Sequence, residues 1–212
     1  MTRRRVSRPL IRRAPTRKPK ARFLVVVEGK TEKAYLDDFA RSLRGVVSVE
    51  VIFDDPDPVS LVKHCIRKAE EAKTQSRNQD DINLLFDETW CVFDFETEKN
   101  RKKVEEAVRL AKRNSIRTAI SNPSIELWAI LHFRDFGEVR TARDLERILR
   151  EYVPAYKKKR KIFLHSDIAS GYQDALARAK VQLKQRENDG QPGGNPSTAI
   201  FLLTERVRKK AK

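Results

Sequence analysis

Apolar positions along the chain follow two rhythms. The run Phe23, Leu24, Val25, Val26, Val27 is unbroken and β-branched, which predicts a strand buried on both faces. It stops abruptly at Glu28, Gly29, Lys30 and Thr31. Ala34, Tyr35, Leu36, Phe39, Ala40 and Leu43 then recur at helical spacing, predicting a helix over 31–44 that Gly45 ends. Residues 46–53 read as a second strand, halted by the prolines of DDPDP at 54–58. A second helix starts near Val59 and buries Leu61, Val62, Cys65, Ile66, Ala69 and Ala72. Residues 74–89 read as a polar surface insertion, anchored by Ile82, Leu84, Leu85 and Phe86. WCVF at 90–93 is a third strand, a helix from about Asn100 turns Val104, Ala107, Val108 and Ala111 inward, and 116–120 is a fourth strand. This alternation predicts an α/β fold, a parallel sheet flanked by helices.

Past the fourth strand the pattern becomes helical. In SNPSIELWAILHF, residues 121–133, Asn122 is expected to cap a helix with Pro123 at its first position, burying Leu127, Trp128, Ile130 and Leu131. A short helix follows at 141–150, opened by Thr141 and Asp144, and a long one over 168–187 with Ala175, Leu176, Ala179 and Leu183 inward. Asn195 and Pro196 repeat the opening before a last helix that buries Leu202, Leu203 and Val207. The expected organisation is a disordered basic tail at 1–21, an α/β core at 22–134 and a C-terminal helical extension at 135–212.

Two strands end in acid. Glu28 follows the first, and Asp94, Glu96 and Glu98 follow the third. Side chains two apart point the same way, so Asp94 and Glu96 can face one cation, and Glu28 joins them if the two strands are neighbours. Carboxylates brought together repel unless a cation or proton is shared, and their hard oxygens suit Mg2+ or Mn2+. Glu98 is assigned to the following turn. Glu126, early in an apolar segment, has two readings: metal or water binding, or a favourable charge at a helix N-terminus. His132 is read as a core or supporting residue, His64 as partly exposed and structural, and His165 as a surface residue. Asp54, Asp55 and Asp57 read as turn and capping residues rather than cation ligands. The GKT turn lacks the earlier glycine of a phosphate-binding loop and is too short to be one.

Charge adds a partner class. The formal net charge over 212 residues is +16, and residues 1–22 hold ten Lys or Arg and no acid. Such an arm suits a phosphate backbone, where it adds salt-dependent affinity without choosing a sequence. Lys157, Lys158, Lys159, Arg160 and Lys161 form a second basic run, the best internal candidate for gripping nucleic acid, with Tyr152, Tyr156 and Phe163 near enough in sequence to stack on bases. Cys65 and Cys91 lack ligand-spaced companions, so buried thiols in a reducing compartment are expected and zinc is not. No apolar run approaches a membrane span and no secretory signal is evident, which leads to a cytoplasmic expectation.

VVVEGKTE, WCVFDFE, SNPSIELWAILHF, YKKK and GNPSTAI, in that order, resemble the RloB-like family, a Toprim-related group of bacterial abortive-infection and restriction-associated proteins. The resemblance runs from about Phe23 to Val207. It implies a Toprim-like sheet with a helical extension, magnesium-dependent phosphodiester chemistry or its remnant, and often an ATPase partner. It places a catalytic glutamate on Glu28 and the magnesium-holding acids on Asp94 and Glu96, where Glu96 departs from the usual aspartate. Asn122, Glu126, Trp128, Lys157, Lys158, Asn195 and Ser197 fall on the other shared segments. The expected activity is hydrolysis of RNA, including transfer RNA, or DNA: Asp94 and Glu96 hold the metal, Glu28 binds metal or moves a proton, and Lys30 and the other lysines neutralise charge. Two rivals fit the same motifs, a noncatalytic nucleic-acid-binding or regulatory subunit docked on an ATPase, and an enzyme acting on phosphoryl groups or a nucleotide messenger.

Overall fold

The computed structural model describes residues 20–54, 57–95, 100–157 and 161–212. Glu96, Glu98, Asp55, Lys158, Lys159, Arg160 and the basic tail to residue 19 lie outside the described residues. Five strands form one sheet in the order β2-β1-β3-β4-β5. They are β1 (Arg22–Val27), β2 (Ser48–Phe53), β3 (Glu88–Asp94), β4 (Arg117–Asn122) and β5 (Ser197–Thr198). The first four run parallel, while β5 pairs antiparallel to the end of β4 through Ser121↔Thr198 and Asn122↔Ser197. The sheet is therefore mixed rather than wholly parallel. Two residues of β5 leave no periodic trace, which is why it escapes a sequence reading.

β1 is apolar and buried from Phe23 to Val27 because it is covered twice. Phe23, Val25 and Val27 join Tyr35, Leu36 and Phe39 of α1 (Lys30–Ser42) on one face, and Leu24 and Val26 join α2 (Pro58–Gln79) and α3 (Arg101–Arg113) on the other. The first face also receives α4 (Glu126–Ile130), α5 (Ala142–Tyr152), α6 (His165–Ile168), α7 (Tyr172–Asn188) and α8 (Ile200–Lys210), so the C-terminal helices share the core of the sheet. Asp57 caps α2 by accepting from Val59 N at 3.1 Å, with Pro58 beside it. Thr141 and Asp144 form a capping box at α5.

Several local expectations are overturned. α2 runs on through 74–79, whose polarity reflects a solvent-exposed helix end rather than an insertion. The long helix starts at Tyr172, after α6 and a 3-10 turn at Ala169–Gly171, and Gly171 lies so close to the His132 carbonyl that a β-carbon would strike it. Asn122 caps nothing: it ends β4, a cis peptide joins it to Pro123, and its Nδ2 donates to Gly193 O at 2.9 Å. Asn195 likewise opens no helix. It precedes a cis Pro196 and donates through Nδ2 to Arg140 O at 2.7 Å. Leu202 is exposed, and Ile200, Phe201, Leu203 and Val207 form the buried side of α8.

Candidate metal and nucleic-acid site

β1 sits between β2 and β3, so the chain leaves β1 toward one side of the sheet and returns to its other side. A crevice opens at such a reversal, outside the carboxyl ends of the two strands. Glu28 follows β1 there, and its amide extends the β1 to β3 ladder by donating to Val92 O at 3.1 Å. Asp94 ends β3. The two strands are neighbours, which places both acids at one edge.

The loop after β4 brings a third acid. Ile125 N donates to Asp94 Oδ2 at 3.2 Å, fixing the loop against the end of β3, and Glu126 follows as the first residue of α4. Glu126 is only 6% exposed. Its Oε2 accepts from Ser124 Oγ at 2.6 Å and its Oε1 from Tyr156 Oη at 2.6 Å. Among the described residues its carboxyl is thus held by two hydroxyls and by no cationic side chain.

The fourth acid is Glu32, which the sequence reading passed over. It occupies the third position of α1, whose N-cap is Gly29, and its carboxylate folds back over the glycine: a β-carbon there would overlap Glu32 Oε2. Gly29 has an ordinary extended φ of −114°, so glycine is needed for space and not for backbone freedom. The spacing G-x-x-E, with the acid four residues after Glu28, was the available signal.

These acids sense one another. Burial pushes the Glu32 carboxyl up to about 7, assisted by the charges of Glu126 and Glu28, while its own backbone amide and the side chain of Asp94 pull the other way. Asp94 is raised well above its usual range, first by burial and then by Glu32, Glu126 and Glu28. Asp94 Oδ1 is buried and receives no hydrogen bond among the described residues. In the arrangement shown, no three His, Cys, Asp or Glu side chains among the described residues form a ready ligand set for an ion. Four carboxyls thus converge electrostatically without closing on a common centre.

The described ends of the basic run border this cluster. Tyr156, at its head, binds Glu126, and Thr31 at the start of α1 donates through Oγ1 to Lys161 O at 2.5 Å. Lys30, Lys157 and Lys161 are exposed, and Lys161 Nζ pairs with Glu146 at 2.6 Å. Tyr156 and Phe163 are buried, so neither stacks on a base; Tyr156 spends its hydroxyl on Glu126, and Phe163 packs on Tyr35.

The remaining residues support the frame. Ser121 Oγ and Thr198 Oγ1 pair at 3.0 Å across β4 and β5, beside the buried Ser197. Trp128 is buried and donates to Tyr35 Oη at 2.8 Å. His132 is a core residue with Nδ1 on Trp128 O at 2.8 Å, and burial drives its pKa down to about 4. His165 is buried rather than superficial, edge-on to Tyr35 and Phe39, because α6 tucks against α1. His64 is half-buried and paired through Nδ1 with Asp54. Among the described residues no helix is long and apolar enough to cross a membrane.

An α/β protein with a central mixed sheet, helices on both faces, a C-terminal helical extension and acids at the strand-order reversal has a Toprim-like arrangement. The family model for RloB-like proteins matches residues 23–207, and the chain belongs to this family, a Toprim-related group associated with abortive infection. No match was found among curated proteins or among solved structures.

Proposed function

We propose that this protein is a divalent-metal-dependent nuclease that hydrolyses nucleic-acid phosphodiesters in antiphage defence. The carrying observation is the gathering of Glu28, Glu32, Asp94 and Glu126 about the carboxyl ends of β1 and β3, with the Oδ1 atom of half-buried Asp94 buried and without a donor among the described residues. Carboxylates so placed are destabilised by mutual repulsion, and a cation relieves it.

The donor set fits Mg2+ or Mn2+, which favour carboxylate oxygens. Glu28, Glu32 and Asp94, with Glu96 as the resemblance suggests, would hold it. Bound there, the ion would neutralise phosphate charge and lower the pKa of a coordinated water. Glu126, fixed by Ser124 and Tyr156, is oriented to accept a proton at Oε1 or Oε2. Lys30, Lys157 and Lys161, together with Lys158, Lys159 and Arg160, supply positive charge for the phosphate backbone. Family membership supports the defence setting and an ATPase partner; self-association is compatible with both.

The test is cleavage of tRNA, mRNA, plasmid and single-stranded DNA with Mg2+ or Mn2+. The proposal expects cleavage of at least one polymer that EDTA, Glu28→Gln and Asp94→Asn each abolish. Cleavage that survives both substitutions would refute it.

A further inference from the structure

All sixteen Phe, Tyr and Trp side chains lie among the described residues, and Phe133 is the exposed one, at 37%. Its ring is not isolated. Phe133 and half-buried Tyr152 are stacked, with centroids 5.1 Å apart and planes inclined by 20°. Exposed aromatic surface is costly in water, and stacking one ring on another hides only one face of each.

The pair stands at a definite distance from the acids. Phe133 lies seven residues beyond Glu126, and the turns are continued by Leu131 N on Leu127 O and Arg134 N on Ile130 O. At 1.5 Å per helical residue the separation along this axis is about 10 Å. Alongside it runs the chain from Tyr152, stacked on Phe133, to Tyr156, bound to Glu126. Thus one edge joins an aromatic stack, the acidic cluster and the start of the basic run. Residues 133–161 carry ten Lys or Arg against five acids, a basic balance in the segment that supplies both rings. Aliphatic side chains such as Val139 and Val181 are exposed too, but they offer no flat face.

We infer that the Phe133–Tyr152 stack is a base-stacking platform and that the occupant of this edge is a single-stranded segment of nucleic acid. An unpaired base extends the stack on the open face of Phe133, and the strand then runs past Glu126 with its phosphates toward Lys157 and Lys161. Base pairs inside a duplex cannot use the platform, since both of their faces are already stacked. The inference rests on the proposed nucleolytic reading for its direction along the surface, but stacking itself needs no catalysis.

The test is equilibrium binding of the full chain in EDTA to fluorescent single-stranded RNA, single-stranded DNA and a relaxed, covalently closed circular duplex, with wild-type protein, Phe133→Ala and Phe133→Trp. A lost base stack weakens binding about ten-fold. The expected result is that loss on at least one single strand with Phe133→Ala, recovery with Phe133→Trp, and unchanged duplex binding and salt dependence. Unchanged single-strand affinity, an equal loss on the duplex or no wild-type single-strand binding overturns the platform. The two readings separate cleanly: Phe133-dependent binding without metal-dependent cleavage refutes the nuclease alone, and cleavage with Phe133-independent binding refutes the platform alone.

Discussion

Tyr156 donates its hydroxyl to Glu126 Oε1 at 2.6 Å, and this bond ties the residue heading the basic run to a carboxyl of the acidic cluster. Burial and the Glu126 charge both hold the Tyr156 hydroxyl above its ordinary pKa, so it acts as a donor at every physiological pH. Removing it leaves a buried carboxyl with Ser124 as its remaining side-chain donor among the described residues. Tyr156→Phe is expected to cost about 1–3 kcal/mol, seen as a melting temperature lowered by several degrees, and to slow cleavage. Differential scanning calorimetry beside a cleavage assay checks it.

Gly29→Ala isolates the position of Glu32. The backbone at Gly29 accepts alanine without strain, so the fold should persist, but the new methyl displaces the Glu32 carboxylate. Cleavage should fall at least about ten-fold, the cost of misplacing a functional group, while circular dichroism stays that of the wild type. Normal cleavage by the alanine variant would remove Glu32 from the site.

Acidity gives a second handle on Glu32. Its carboxyl titrates near 7 in the folded protein against an ordinary value of 4.5, so between these limits the folded state binds more protons than the unfolded one. Stability therefore falls as pH rises through that window, and the raised Asp94 acts in the same direction. In EDTA the melting temperature should drop from pH 4.5 to 8. Glu32→Gln should lessen the drop, by up to roughly 3 kcal/mol, and added Mg2+ should restore the wild type at pH 8 more than the variant. A flat profile in EDTA would contradict a Glu32 carboxyl raised by burial and by its acidic neighbours.

Much of this frame was legible because burial writes itself into sequence. β1 and the third strand are apolar on both faces, and each breaks off in acid, so Glu28 and Asp94 could be placed before their strands were known to be neighbours. Asn122 misled because an Asn-Pro pair before an apolar stretch has the composition of a helix start, whereas its side chain is claimed by Gly193, 71 residues away. His165 misled for the same kind of reason: the rings that bury it belong to α1. Glu32 was hidden by its ordinariness, since an acid in the first turn of a helix is a common capping device. Only the closeness of Asp94, Glu126 and Glu28 sets it apart.

Asn122→Ala separates the supporting role from the chemical one. Losing the Gly193 bond should cost about 1 kcal/mol and leave metal binding intact, because Asn122 contributes no carboxylate. A melting curve and a metal titration decide it, and lost metal binding in a folded variant would make Asn122 part of the site.

The most direct measurement is calorimetric titration of Mn2+ into the wild type and Asp94→Asn at pH 8, with no nucleic acid present. Saturable binding to the wild type that is lost in a folded Asp94→Asn variant is the predicted result. Equal binding by both proteins, or none by the wild type, would contradict the assignment of this acidic edge as a metal centre.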